Sequence, residues 1–257
     1  MRILCIGDVV GSAGCDFLRT HLPAFKKLHK VDLTIVNGEN SADGNGITPR
    51  SADHIFTSGA DVITLGNHSF RRGEVFSYLD EKPYIIRPMN YPSSTTPGKG
   101  MCTVDMGYAQ VTVINLMGQE GIDTHLDNPF TMIDRLLPKL DSKIVLLDFH
   151  AEATSEKRAM GLFLDGRVSA VFGTHTHVMT ADAEVLLGGT GYVTDLGMTG
   201  AIDSVLGVKK EIIINRFLTK LPGRFEYEKS ACKMNCTLFD IDNATGKCTS
   251  ATSYELR

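Results

Sequence analysis

Apolar residues fall in short runs along this chain, and the runs repeatedly stop on glycine, asparagine or an acid. Runs over 2–7, 32–37, 61–65, 143–149 and 167–172 are strand-length and rich in Ile, Val and Leu, as buried strands are. Between the first three the period lengthens. Phe17, Leu18, Leu22 and Phe25 take near-helical spacing, predicting a helix over 15–29. Thr48-Pro49 reads as an N-cap followed by proline at the first helical position, opening a helix that stops near Gly59. A further helix is expected over 73–80. This βαβαβ rhythm predicts a parallel sheet with right-handed crossovers.

From Tyr84 the pattern changes. Pro88, Pro92 and Pro97, with Gly98 and Gly100, mark an irregular connector. Segments 101–106 and 109–116 flank Gly107-Tyr108 as a hairpin. Asn128-Pro129 opens a helix to about residue 140, and 154–164 is a second helix between the two later apolar runs. Short strands, antiparallel by their turn residues, are expected near 184–187, 191–194, 211–216 and 234–241. The whole predicts an α/β fold over 1–257 as one domain: two facing mixed sheets with helices outside.

The strand ends carry the chemistry. They read Gly7-Asp8, Gly38-Glu39-Asn40, Gly66-Asn67-His68, Asp148-Phe149-His150 and, after Gly173, His175-Thr176-His177. In open α/β sheets ligands bind at the carboxyl ends of strands, where loops converge. If 175–177 stays extended, both imidazoles share one side and Thr176 points away. Singly, Asp8 or Glu39 could cap a helix, Asn67 could make a turn, and His150 could be a satisfied core histidine. Together they supply oxygen and nitrogen donors without a thiolate, a set suited to manganese, iron or zinc, with magnesium compatible. Asp8, Glu39, Asn40, Asn67, His150, His175 and His177 exceed what one ion takes while leaving room for substrate. Two ions about 3.5–4 Å apart sharing one carboxylate would use them. His68, beside Asn67, is then free to act as a general acid.

Composition narrows the partners. The 257 residues are 42% hydrophobic and 22% charged, with a formal net charge of -4, and no basic run suits a nucleic-acid duplex. The six cysteines form no CxxC pair and read as small buried thiols. The first residues enter a strand without a leader-like segment, and no 18-residue apolar run exists, so a reducing cytoplasm and no membrane partner are expected. His21, His29, His54 and His125 pair with nothing obvious, and Met89, Met101, Met106 and Met117 read as packing. Arg87, Asn90 and Lys99 are candidates either for phosphate contact or for a solvated loop. Asp165 and Arg167 read as surface.

The order Gly-Asp, Gly-Glu-Asn, Gly-Asn-His, His and Gly-Thr-His-Thr-His resembles the calcineurin-like metallophosphoesterase superfamily. Within it, Gly7-Asp8-Val9-Val10-Gly11-Ser12, Asn37-Gly38-Glu39-Asn40, Asp148 to Lys157, Gly173 to Val178 and Thr194 to Gly200 resemble the bacterial YmdB family, nearly end to end. The resemblance implies a four-layer α/β/β/α sandwich, a two-metal centre holding iron or manganese, and phosphodiesterase activity on 2′,3′-cyclic nucleotides. It assigns Asp8, Asn40 and His177 to one ion, Asn67, His150 and His175 to the other, Glu39 to both, and His68 as the acid. Val10, Glu39 and Ser69 stand where the wider superfamily usually has His, Asp and an acid, and they fit the narrower family. The residues themselves leave open a phosphomonoesterase, a regulatory protein with a vestigial site, and a homo-oligomer; they identify no substrate-binding residue.

Overall fold

The computed structural model describes residues 1–43, 45–92, 95–122 and 126–257. Its chain begins with strands β1 (Arg2–Ile6) and β2 (Asp8–Val9), helix α1 (Gly11–His29), β3 (Leu33–Asn37), α2 (Pro49–Thr57), β4 (Val62–Thr64), α3 (Phe76–Glu81) and β5 (Ile85–Ile86). It continues through β6 (Met101–Asp105), β7 (Gln110–Met117), α4 (Pro129–Leu136), β8 (Ile144–His150), α5 (Thr154–Phe163) and β9 (Ala170–Thr174). It ends with β10 (Glu184–Val185), β11 (Gly191–Val193), β12 (Met198–Ala201), α6 (Lys210–Thr219), β13 (Cys232–Ile241) and β14 (Cys248–Leu256).

Two mixed sheets result. The first runs β2-β12-β13-β1-β3-β4-β5, with β14 added to β13. The second runs β10-β11-β9-β8-β7-β6. Neighbours β1, β3, β4 and β5 are parallel, as are β7, β8, β9 and β11. Side-chain alternation sorts the residues of each strand between two cores. From β1, Ile3 and Cys5 join Val111, Val113, Ile144, Leu146 and Phe172 of the second sheet in the core between sheets. Leu4 and Ile6 face the other way, onto Leu18 and Leu22 of α1 and Ile55 of α2. On the far side Ile114, Leu116, Leu147 and Phe149 pack on Ile133 of α4 and Met160 of α5. Each such fully buried aliphatic side chain contributes about 1.5–3 kcal/mol. These three cores make the α/β/β/α sandwich.

The helix starts follow the sequence chemistry. The Thr48 hydroxyl accepts the Ser51 N–H at 3.1 Å, and the Ser51 hydroxyl accepts the Thr48 N–H at 3.0 Å, with Pro49 at the first turn. Asn128 caps α4 by accepting from the Thr131 N–H.

Two expectations fail. Residues 211–216 are not a strand but lie in α6; the run Ile212-Ile213-Ile214 favours strand locally, yet pairs with no strand among the described residues. Nor is β11 antiparallel to all its neighbours: it pairs with β10 antiparallel but with β9 parallel, because the chain crosses over between 175 and 190. Strands β12 and β14 were not anticipated, and α1 starts four residues before the predicted 15.

Candidate metal centre

Every candidate side chain leaves the carboxyl end of a parallel strand, or the turn just beyond it. Asp8 follows β1, Glu39 and Asn40 follow β3, and Asn67 and His68 follow β4. From the second sheet, His150 ends β8, and His175 and His177 follow β9. The two sheets therefore meet at one set of donors, and all eight side chains belong to one contact network.

His150 Nε2 is its hub. It lies 2.9 Å from Asn67 Oδ1, 3.1 Å from His175 Nδ1 and 3.2 Å from Glu39 Oε1. The Glu39 carboxylate accepts the backbone N–H of His68 at 3.0 Å and the Asn40 side-chain N–H at 3.1 Å. Asn40 Nδ2 is also 3.2 Å from His177 Nε2, and Asn40 Oδ1 is 2.9 Å from His68 Nδ1. Asp8 closes the ring: Oδ2 accepts the His175 N–H at 3.1 Å, and Oδ1 lies 3.5 Å from His177 Nε2. Neither Asp8 nor Glu39 caps a helix; α1 has Val10 at its N-cap, without a side-chain cap.

A buried relay orients the hub. The Thr174 hydroxyl donates to Asp148 Oδ1 at 2.7 Å, so its oxygen is the acceptor facing His150 Nδ1 at 2.8 Å. Asn37 Nδ2 donates to Asp148 Oδ2 at 3.1 Å. With Nδ1 carrying the proton, a neutral His150 presents the Nε2 lone pair to three further lone pairs. Burial alone would lower the His150 pKa; the carboxylate of Glu39, with Asp8 and Asp148 behind it, outweighs burial and holds it up to about 9. Burial would raise Glu39, but His150 and His68 hold it well below the usual carboxylate range. Burial and the neighbouring His150 push His175 down to about 3.

These residues fit a cation on three grounds. Ligand atoms of Glu39, His150 and His175 all lie within 4.8 Å of one another. Asp8 Oδ1 is buried with no hydrogen-bond partner, a costly state unless a positive charge satisfies it. Gly66 leaves open a space where a Cβ would overlap His150 Nε2 and Glu39 Oε2. Gly66→Ala should therefore fold, by circular dichroism, yet bind far less metal and lose activity. Wild-type metal content and turnover in that variant would show the space to be unneeded.

The segment 175–177 departs from expectation. It is not extended: His175 and His177 both take positive φ, 101° and 62°, conformations costing of order 1–3 kcal/mol for a non-glycine residue. The rings converge through this tight turn rather than through strand alternation. Thr176 does point away, its N–H and hydroxyl both donating to Asp195 Oδ2 at 3.1 and 2.7 Å. Asp195 is held by the buried Lys157 ammonium at 2.6 Å. Lys157→Met should destabilise the protein by about 3–5 kcal/mol, because Asp195 would stay buried without its counter-charge. Urea unfolding reads this; a loss under about 1 kcal/mol would mean that the N–H and O–H donors suffice for Asp195.

Sequence reasoning missed the Asp148–Thr174 relay, Asn37, Asp195, Lys157 and Glu152, whose Oε2 lies 3.0 Å from His175 Nε2. Asp148 was within reach, since it shares a strand face with His150 two residues on. Other candidates resolve as structure. Arg87 is buried and donates to the carbonyls of Pro88, Met89 and Pro97; Asn90 holds the carbonyls of Met117 and Asp127. Neither is free to grip phosphate. Lys99 is exposed, on a cavity of about 650 Å³ lined by Tyr84, Met89, Tyr91 and Met132. His21 stacks on Phe17 and His29 on Phe25, and His54 Nε2 sits 3.7 Å from Asp16. His125 lies outside the described residues. Arg167 pairs with Asp134 at the surface, and Asp165 accepts from the Gly188 N–H. Burial raises the thiols of Cys15, Cys102 and Cys236 to about 12, as inert cysteines require. Met117 is in the core, and Met89, Met101 and Met106 pack against it.

Known proteins are similar to this chain in sequence and fold. A family model described as YmdB-like protein matches residues 4–254. The chain belongs to the YmdB-like family. It is 46% identical over 249 residues to a 2′,3′-cyclic-nucleotide 2′-phosphodiesterase of Bacillus subtilis, covering 96% of this chain and 94% of that one. The crystal structure of a novel phosphatase from Mycoplasma pneumoniae superposes with a TM-score of 0.95 at 32% identity, over 100% of this chain and 93% of that one. A calcineurin-like phosphoesterase, YfkN from Bacillus subtilis, has a TM-score of 0.58 at 11% identity, over 100% of this chain and 90% of that one. That last likeness is one of fold, and it makes the sandwich a calcineurin-like one.

Proposed function

We propose that this phosphoric ester hydrolase opens 2′,3′-cyclic nucleotides, using two transition-metal ions, iron or manganese, with His68 as the general acid. The observation carrying this reading is the meeting of His150 Nε2, Asn67 Oδ1, His175 Nδ1 and Glu39 Oε1 within 2.9–3.2 Å of the hub nitrogen. Asp8, Asn40 and His177 would hold one ion and Asn67, His150 and His175 the other. Glu39, touching residues of both sets, would serve both. When bound, such a pair supplies hydroxide near neutrality and neutralises charge building on phosphoryl oxygens.

The remaining steps fall to the chain. Thr174 and Asp148 keep the proton of His150 on Nδ1. Asn40 turns His68 by its Nδ1, leaving Nε2 without a partner among the described residues on a ring one-fifth exposed. As hydroxide adds to phosphorus, one bond from phosphorus to a ribose oxygen breaks. That oxygen takes the proton of His68 and leaves as a hydroxyl, giving a nucleoside monophosphate. The name of the Bacillus subtilis relative supports this substrate class.

The test is hydrolysis of 2′,3′-cyclic AMP beside 3′-AMP and 5′-AMP by manganese- or iron-loaded protein. Cleavage of the cyclic diester with the monoesters left intact is expected. Release of phosphate from monoesters with the diester untouched would replace this reading by a phosphomonoesterase. Turnover of neither by metal-loaded protein would leave a binding protein. No helix among the described residues is long and apolar enough to cross a membrane, and the compartment we propose is the cytoplasm.

A further inference from the structure

Three histidines of the centre turn one ring nitrogen inward, and each has its other nitrogen met by an acceptor. His150 rests Nδ1 on the Thr174 hydroxyl oxygen at 2.8 Å, and His177 rests Nδ1 on the Leu206 carbonyl at 3.3 Å. His175 is reversed. Its Nδ1 lies 3.1 Å from the hub nitrogen of His150, and its Nε2 lies 3.0 Å from Glu152 Oε2. Glu152 is the only charged group among these acceptors, and its side chain is 54% exposed. An exposed histidine–carboxylate contact contributes little by itself. This one is held in place. Glu152 lies just past the end of β8, and its stem runs beneath Gly121, where an added Cβ would stand 3.0 Å from Glu152 Cγ. The segment above it is fastened in turn: the Gly118 N–H donates to the His150 carbonyl at 3.0 Å, and Glu156 accepts the N–H groups of Gln119 and Glu120 at 2.9 and 3.3 Å. The loop after β7 therefore closes over the Glu152 stem and limits where the carboxylate can go.

We infer that Glu152 is a positioning residue for His175: it keeps the ring proton on Nε2 and the ring at one angle, so that Nδ1 offers its lone pair inward. The inference rests on the two-ion reading above. A neutral imidazole carries a single proton, and a proton on Nδ1 would point at the hub and leave no lone pair for an ion there. Second partners of this kind set both the tautomer and the orientation of a metal-binding histidine. His175 has particular need of one. Its backbone sits at a φ of 101°, its ring meets His150 edge-on with centroids 4.8 Å apart, and among the described residues only His150 and Glu152 lie within bonding distance of its nitrogens. His177, by contrast, leans on a backbone carbonyl that no side-chain replacement removes. Glu152 should therefore matter to the ion held by Asn67, His150 and His175, and not to the one held by Asp8, Asn40 and His177.

Two measurements on the full chain test this, the first without metal. Long-range proton–nitrogen spectra of metal-free protein should show His175 protonated on Nε2 in the wild type. Glu152→Gln, whose amide oxygen still accepts, should look the same, and Glu152→Ala should show both tautomers. The second is a manganese titration with the free ion read by electron paramagnetic resonance, which should fill two sites in the wild type. Glu152→Ala should weaken one site about 10–100-fold and leave the other unchanged, and Glu152→Gln should recover most of that loss. Glu120→Ala, which removes an exposed carboxylate from the covering loop, should bind both ions as the wild type does. A single unchanged tautomer in Glu152→Ala overturns the inference. So does unchanged binding, or an equal weakening of both sites, which would make Glu152 a general support of the fold. A wild type that takes up no manganese overturns the two-ion reading instead, and the nitrogen spectra still decide what Glu152 does to His175.

Discussion

Glu39→Ala is expected to emerge from purification with neither ion and no measurable phosphodiesterase activity. The carboxylate is fully buried at the meeting point of the two sheets. Its oxygens lie 3.2 Å from His150 Nε2 and accept N–H groups from His68 and Asn40, so it touches members of both proposed ligand sets. It is also the carboxylate whose charge holds His150 up. Removing it takes one negative charge and two ligand atoms from the centre at once, where Asn67→Ala removes one neutral donor from one side. Metal analysis should give close to two ions for wild type, about one for Asn67→Ala and close to none for Glu39→Ala. Losing the several kcal/mol that such ions contribute to a phosphoryl transition state corresponds to a rate loss on the order of 10³ or more. Glu39→Ala protein that keeps both ions would sink the bridging role, whatever its activity.

How far the sequence reached depended on how local each signal is. Strands β1, β3, β8 and β9 were legible because each is an unbroken apolar run stopping at a polar residue, and the donors were legible because they are those stopping residues. Strand β14, Cys248-Thr249-Ser250-Ala251-Thr252-Ser253-Tyr254-Glu255-Leu256, has only one buried residue in nine. As an edge strand half open to water it lacks the alternation that reveals burial. Helix α6 misled for the opposite reason: three isoleucines in a row speak for strand, while the helical period shows only when the reading extends to Phe217 and Leu218. Lys157 and Asp195 are thirty-eight residues apart and meet only because α5 lies over the end of β9 and the chain returns through 195. The positive φ of His175 and His177 had no sequence signal beyond the modest tolerance of histidine for that region. Local chemistry could name the donors, but the turn that aims them is fixed by Asp195 and Lys157.

The second large effect belongs to His68. The ring is set by Asn40 through Nδ1 and lies 3.4 Å from Glu39 Oε1, while the backbone N–H of the same residue holds Glu39 Oε2. Alanine removes the ring and keeps that N–H, so the carboxylate should stay where it is and the metal content should stay at the wild-type level. What goes is the proton for the departing ribose oxygen. An alkoxide leaves poorly without one, and loss of a general acid typically costs about 10²–10⁴ in rate. His68→Ala is therefore expected to lose cyclic-nucleotide hydrolysis by that order. On a nitrophenyl phosphodiester the loss should be far smaller, because nitrophenolate departs unprotonated. The contrast between the two substrates separates the acid from a positioning role, which would slow both alike. If His68→Ala lost its ions the ring would be a ligand, and if it hydrolysed both substrates at wild-type rates the proton must come from elsewhere.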